Sequence, residues 1–316
     1  MIHEHRYLAE PDIDIFTNES TTLMVRRLGA EVIGFTYRHP ARGDIGLLWR
    51  NAQLESPPKF WKSHAPILFP IVGGIHDLRA RTTDGTAVRF KKQHGFVRHS
   101  PLALLGKADS GDRLVLHYHL LADAATMALY PWRFELWVTY ELTDNRLTQM
   151  IRVVNRDEKP LPFQVGWHPG FNTPFFDGTK EKCHLRLPAG ELRRLRNDAN
   201  CYLTGEVHTV SFAGDFPFTE SELDRTYMFD LTATPPERRV VELLDPDESF
   251  GVRVGFPDYP HLGLWSDAGA PFICIEPWQG MDDAVVQEPF DKKFGMLSLP
   301  PGEERAFRAS IEIVSR

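Results

Sequence analysis

The sequence predicts an all-β protein, one large antiparallel β sandwich with a few short helices, and three observations carry that prediction. Apolar residues recur with a period of two in segment after segment, the spacing of a strand that buries one face. Helical periodicity is scarce. The 24 Pro and 23 Gly are spread along the chain, so turns recur throughout and neither an interdomain linker nor a repeat of fixed period stands out. The 316 residues therefore read as a single domain, 1–316, a size that all-β folds reach.

In chain order, short strands are predicted at Thr22–Arg26, Glu31–Tyr37 and Leu114–Leu121, and Ala124–Tyr130 suits a couple of helical turns. Next, Phe134, Leu136, Val138, Tyr140 and Leu142 alternate with Glu135, Trp137, Thr139 and Glu141, placing one set on a core face and the other toward solvent. Thr143-Asp144-Asn145-Arg146 offers a turn, and Leu147–Val154 continues as a second strand, so the two form a hairpin. Thr219–Thr226 suits another short helix, and strands follow at Arg239–Leu244 and Phe250–Phe256. Finally Pro300-Pro301-Gly302 turns the chain, after which Phe307, Ala309, Ile311 and Ile313 alternate with Arg308, Ser310 and Glu312 in a last strand.

Composition narrows the function classes. With 42% hydrophobic and 25% charged residues the chain can bury a real core, and disorder is not expected over most of its length. The net charge of −7 argues against nucleic acid as the main partner. Cys183, Cys201 and Cys274 are an odd set without metal-type spacing, which disfavours a disulfide framework and points to a reducing compartment. Met1-Ile2-His3-Glu4-His5-Arg6 lacks the apolar run of a signal peptide, and no stretch approaches the roughly 20 apolar residues of a membrane helix. The expectation is a cytoplasmic protein, monomer or homodimer, that engages neither membrane nor nucleic acid.

Three short motifs lie far apart: Gln93-His94-Gly95-Phe96-Val97-Arg98, Gly166-Trp167-His168-Pro169-Gly170-Phe171 and Ile273-Cys274-Ile275-Glu276-Pro277-Trp278. Together they supply two imidazoles, a guanidinium and a carboxylate. Acid/base chemistry on a sugar hydroxyl and ring oxygen needs such a set, because one group must take a proton while another gives one. Upstream lie Gly29-Ala30-Glu31, Leu47-Leu48-Trp49 and Ala65-Pro66-Ile67-Leu68-Phe69-Pro70-Ile71-Val72-Gly73. The content and order of these segments resemble the aldose 1-epimerase (galactose mutarotase) family, in particular its lactose-operon-type bacterial branch, over nearly the whole chain.

The resemblance implies a galactose-mutarotase-type supersandwich and an isomerase that interconverts the α and β anomers of a hexose without cofactor or metal. Glu276 matches the family's general base for the anomeric hydroxyl, and its protonation in acid is expected to slow the reaction. His168 matches the general acid for the ring oxygen. His94 matches a substrate-positioning histidine, and Arg98 aims a donor fork at a hydroxyl or at Glu276. Lys62 falls where sugar-phosphate-acting relatives place an Arg, and Asp224 resembles an acidic residue that accepts from sugar hydroxyls. Trp61, Trp167 and Trp278 are the candidate stacking platforms for a sugar face. One departure is visible: the family's usual aromatic after His-Pro is replaced by Gly170, with Phe171 following.

Read without the resemblance, the same residues admit plainer roles. Glu276 would be a strand-end carboxylate paired with an Arg, His168 a loop histidine, His94-Gly95 a bend, Arg98 a surface cation, and Asp224 a turn or cap, while Lys62 is a point charge and not the planar fork of an Arg. His117 and His119, with Asp123, could face a metal, but the better reading is a pair of surface histidines on an edge strand. A glycosidase would need Asp282, Asp283 or Glu288 to oppose Glu276, and would leave both His motifs without work. A hexose-6-phosphate 1-epimerase and a non-catalytic sugar-binding or sensor protein remain the alternatives to a mutarotase acting on a neutral hexose.

Overall fold

In the computed structural model the alternation from Phe134 to Leu142 is one strand, Phe134–Leu142, and it pairs with Arg146–Asn155 through a hairpin that closes at Leu142 opposite Leu147. The structure describes residues 3–4, 12–50, 60–212, 214–218, 223 and 226–316. Among them, the paired strands of all the sheets run antiparallel, as short connections between neighbours allow.

Two eight-stranded sheets make the body. One runs, in spatial order, His184–Arg186, Val240–Leu244, Phe250–Gly255, Glu304–Ser315, Arg146–Asn155, Phe134–Leu142, Leu114–Leu121 and Ala103–Asp109. The other runs Leu203–Ser211, Glu191–Asn197, Tyr227–Asp230, His261–Trp265, Phe272–Gln279, Val165–Trp167 and Ile67–Leu68, with Gly170–Asn172 also paired to Phe272–Gln279. A five-stranded sheet carries Thr21–Arg26 and Glu31–His39. Leu23 and Phe35 from that sheet, Leu136, Ile151 and Phe307 from the first large sheet, and Ile67, Phe229 and Ile275 from the second share one apolar core. Removal of these side chains from water is what holds the layers together.

Most predicted strands appear within a residue or two of their expected bounds, and the helix is Ala124–Leu129. One expectation is corrected. Leu114–Leu121 is flanked on both sides, so His117 and His119 are on no edge; His117 Nδ1 meets Thr139 Oγ1 at 2.9 Å and His119 Nε2 meets Glu135 Oε1 at 2.9 Å. Asp123 caps the helix, accepting the Thr126 N–H at 2.8 Å, and is no metal donor for them. The helix expected over Thr219–Thr226 falls largely outside the described residues.

Candidate active site

The site is built on Phe272–Gln279, a strand buried along its whole length. Period two places Cys274, Glu276 and Trp278 on one face. Glu276 is 1% exposed and faces Gly263 across the ladder; Trp278 faces His261 on that side and Gly166 on the other. Both glycines are required by the indole, since a Cβ at either would stand 2.8 Å from one of its carbons. Trp278 is thereby held flat between two neighbouring strands.

His168 reaches this face because the chain leaves the ladder there. Val165–Trp167 and Gly170–Asn172 both pair with Phe272–Gln279, but Pro169 has no N–H to continue the pairing and instead accepts the Ile275 N–H at 3.1 Å. The His168 N–H is anchored on Pro66 O at 3.1 Å. Its Nε2 lies 3.1 Å from Glu276 Oε2. That contact lacks the direction of a hydrogen bond: Glu276 Oε2 and His168 Nδ1 are both buried without a hydrogen-bond partner. Unpaired buried polar atoms are expensive, so a pair of them in one place marks a site made for something else to bind.

His94 arrives on a tight turn, with φ of 65° at His94 and 74° at Gly95. Its N–H donates to Gly73 O at 2.7 Å, and the Gly73 N–H donates to His94 Nδ1 at 3.0 Å. Because Nδ1 accepts, the neutral ring carries its proton on Nε2. Burial, helped by the charges of Arg98 and Lys293, pushes the His94 pKa down to about 3, so it is a neutral donor. Its ring meets that of His168 edge-on, centroids 5.4 Å apart.

Burial is also the main influence on the other two groups. It raises the Glu276 pKa well above the ordinary carboxylate range, with the charge of Asp282 adding and Arg98 and the Trp278 indole opposing. It lowers the His168 pKa well below the ordinary imidazole value, with His94 and Arg98 adding. Burial thus disfavours the charged form of each group, and the two face one another at 3.1 Å.

Glu276, His168, His94, Arg98 and Trp278, all predicted from sequence, line one cavity of about 340 Å³, the small end of the range for ligand pockets. Arg98 acts on Glu276 through its charge, while its Nη2 donates to Ser63 Oγ at 2.7 Å. Lys62 does not line this cavity. It is exposed on an adjoining outer groove of about 790 Å³ that it shares with Lys92 and Arg98. Asp224 lies outside the described residues. Trp167 is corrected: it is fully buried, its indole N–H donates to Ala65 O at 3.1 Å, and it is core rather than platform.

Sequence reasoning missed five residues of the cavity, Cys201, Thr226, Trp265, Asp267 and Asp282. Trp265 packs edge-on to Trp61 and His168, with centroids 5.8 and 6.1 Å away, and Asp267 Oδ2 accepts the Trp61 N–H at 2.7 Å. The signal was available in Leu264-Trp265-Ser266-Asp267, but it lies on a neighbouring strand with no motif of its own. Asp282, which the sequence offers only as a carboxylate opposing Glu276 in a glycosidase, lines this cavity. Behind the site, Glu31 accepts the His64 N–H at 2.8 Å, the Ala65 N–H at 3.3 Å and the Arg26 guanidinium, fixing the segment that bears Trp61 and Ser63. Burial would raise the Glu31 pKa, but His64 and Arg26 outweigh it and bring it down to about 2.

Among the described residues, one donor set is close enough to hold a metal ion: His168, Cys274 and Glu276, with atoms within 4.8 Å of one another. Two of these are the facing His168 and Glu276, and burial pushes the Cys274 thiol far up, away from the thiolate a metal needs. The arrangement is suited to moving protons on a bound polyol.

Known proteins share this arrangement of chain. The family model described as aldose 1-epimerase matches residues 15–312. The chromosomal and plasmid LacX proteins of Lactococcus lactis are each 28% identical over 279 residues, covering 85% of this chain and 88% of theirs. A galactose mutarotase related enzyme from Lactobacillus acidophilus superposes with a TM-score of 0.85 at 26% identity, over 96% of this chain and 97% of that one. A galactose mutarotase-like protein from Lactobacillus casei gives 0.83 at 25% identity, over 95% and 99%.

Proposed function

The chain belongs to the aldose 1-epimerase family of isomerases, and we propose that it interconverts the α and β anomers of a neutral hexose by acid/base ring opening. The observation that carries this reading is the 3.1 Å approach of His168 Nε2 to Glu276 Oε2, both buried and both with unpartnered atoms, in a cavity open to a small ligand. The hydroxyl and ring oxygens of an anomeric centre are bonded to the same carbon. A base for one and an acid for the other must therefore stand close together. Two carboxylates working across a glycosidic bond need about 5–9 Å between them.

In the proposed cycle Glu276, in its ionised form, takes the proton of the anomeric hydroxyl while His168 delivers one to the ring oxygen. The bond from the anomeric carbon to the ring oxygen breaks, leaving an open-chain aldehyde. Rotation about the bond between the first and second carbons presents the other face of the carbonyl. The same two transfers in reverse close the ring as the opposite anomer. Net charge on the pair is conserved throughout, which suits a site where burial penalises any single charge. His94, neutral with Nε2–H available, supports the negative charge that develops on an oxygen as the bonds change.

The test is polarimetry of freshly dissolved α-D-glucose, α-D-galactose and a broad panel of aldoses and their phosphates. Acceleration over buffer is expected. No acceleration for any member of the panel would sink the catalytic reading in favour of a sugar-binding protein on the same fold.

A further inference from the structure

Asp282 lines the cavity and takes no part in the proton transfers. It is 8% exposed and lines the same space as Glu276, His168 and His94. Its Oδ1 accepts the Gly74 N–H at 2.6 Å, its one side-chain hydrogen bond among the described residues. Gly73 makes room for it: a Cβ there would stand 2.2 Å from that oxygen. The Gly73 N–H meanwhile orients His94. Two consecutive amides of one turn thus hold an imidazole and a carboxylate against the same cavity.

A cation is buried alongside. Lys293, 3% exposed, donates to Met281 O, stands 4.0 Å from Asp283 Oδ1 and opposes the charge of Asp282. Buried ionic groups of this kind rarely stabilise a fold better than apolar side chains of the same volume would. A carboxylate kept in such a place, at a ligand cavity and with acceptor capacity left over, points to recognition.

We propose that Asp282 determines specificity by accepting a hydrogen bond from a ring hydroxyl of the bound sugar, away from the anomeric centre. This rests on the sugar-epimerase reading. Glu276 and His168 engage the two oxygens of the anomeric carbon, which leaves the remaining hydroxyls to be read by other groups. Burial raises the Asp282 pKa to about 6, with Lys293 opposing, so above that pH the carboxylate is ionised; it then accepts and cannot donate, and distinguishes a hydroxyl from a methylene. A site built to bond a hydroxyl rejects the analogue lacking it far more strongly than an apolar pocket could, because its own polar group is left unpaired. Its bond to the sugar is charge-assisted and accordingly strong.

The experiment compares kcat/KM for hexoses and their monodeoxy analogues, each missing one ring hydroxyl, in wild type, D282N and the charge-balanced double variant D282N/K293M. The wild type is expected to discriminate against at least one deoxyhexose by about 100-fold or more. In both variants that discrimination should fall below about fivefold, through the parent sugar's KM, while discrimination at other hydroxyls persists. If D282N alone proves unstable, the double variant carries the comparison. An active wild type with no such discrimination, or with discrimination untouched by the variants, overturns this inference and leaves the epimerase reading standing. A wild type that accelerates none of the sugars overturns both.

Discussion

Trp61 is stacked on His168, with ring centroids 4.7 Å apart and planes 22° from parallel. The indole covers one face of the imidazole and keeps water from it, which is part of why burial dominates the proton affinity of His168. It also explains Gly170: a Cβ there would meet Trp61 Cζ3 at 2.9 Å. A side chain at position 170 would compete with the Trp61 ring for the same space.

If Glu276 is the proposed proton acceptor, Glu276→Gln should lower kcat by at least ~100-fold with the fold intact. His168→Asn should do much the same, and His94→Asn should retain more activity. Polarimetry of the three variants, with circular dichroism as the fold control, checks the ranking. A Glu276→Gln protein with wild-type turnover would remove the central assignment.

The pH profile follows from the pair. An isolated carboxylate base would lose activity in mild acid, as the sequence suggested, but burial raises Glu276 and lowers His168, so in the proposed mechanism the active state, with one proton between the two, is expected to span neutrality. The rate should be flat there, falling in acid when a second proton is added and in alkali when the last leaves. The Arg98 charge lowers the proton affinity of both partners, so Arg98→Met should move both limbs to higher pH. Limbs that stay put, or move apart, would count against the pair.

Lys62 stands on the outer groove, away from the reacting centre. Lys62→Ala should therefore change KM for glucose less than fivefold, a limit of about 1 kcal/mol. The contrary result would be catalytic efficiency at least ~100-fold higher on glucose 6-phosphate than on glucose, lost in Lys62→Ala. That pattern would assign the groove, with Lys62 and Lys92, to a phosphate.

Glu31 offers a stability test. Its folded pKa, about 2, is below the ordinary value of 4.5, so its ionisation stabilises the fold at pH above 4.5 and that contribution is lost as pH falls toward 2. Glu31→Gln should cost about 3 kcal/mol near neutrality, because Arg26 and two amides lose a charged partner. Denaturant unfolding should show the gap between wild type and variant narrowing as the pH is lowered. A gap independent of pH would mean that the carboxylate's charge is not what stabilises.

Legibility in the sequence followed exposure. Phe134–Leu142 and Leu114–Leu121 each have a wet face, so their alternation gave their bounds. Phe272–Gln279, the strand that matters most, is buried on both faces and showed only an apolar run around Glu276. Glu276, His168 and His94 could be picked out because each sits in a motif with local punctuation, Pro or Gly. Trp265 and Asp282 reach the cavity through strand pairing and turn geometry, which no local pattern displays. Trp167 was misread because its neighbour His168 faces the cavity, and in extended chain adjacent side chains point opposite ways.

That opposition has a consequence for how such a site can change. Thiol, carboxylate and indole occupy alternate places on a strand tied to neighbours on both edges, with Ile275 and Pro277 between them and Ile273 just before the thiol. Exchange of a side chain at any of the three is a local event. Gain or loss of a single residue between Phe272 and Gln279 is not, because it would turn the isoleucines into the cavity and drive the carboxylate into the apolar interior. Variation among proteins built this way should therefore be confined here to substitution, with changes of length admitted only in the loops beyond the strand ends.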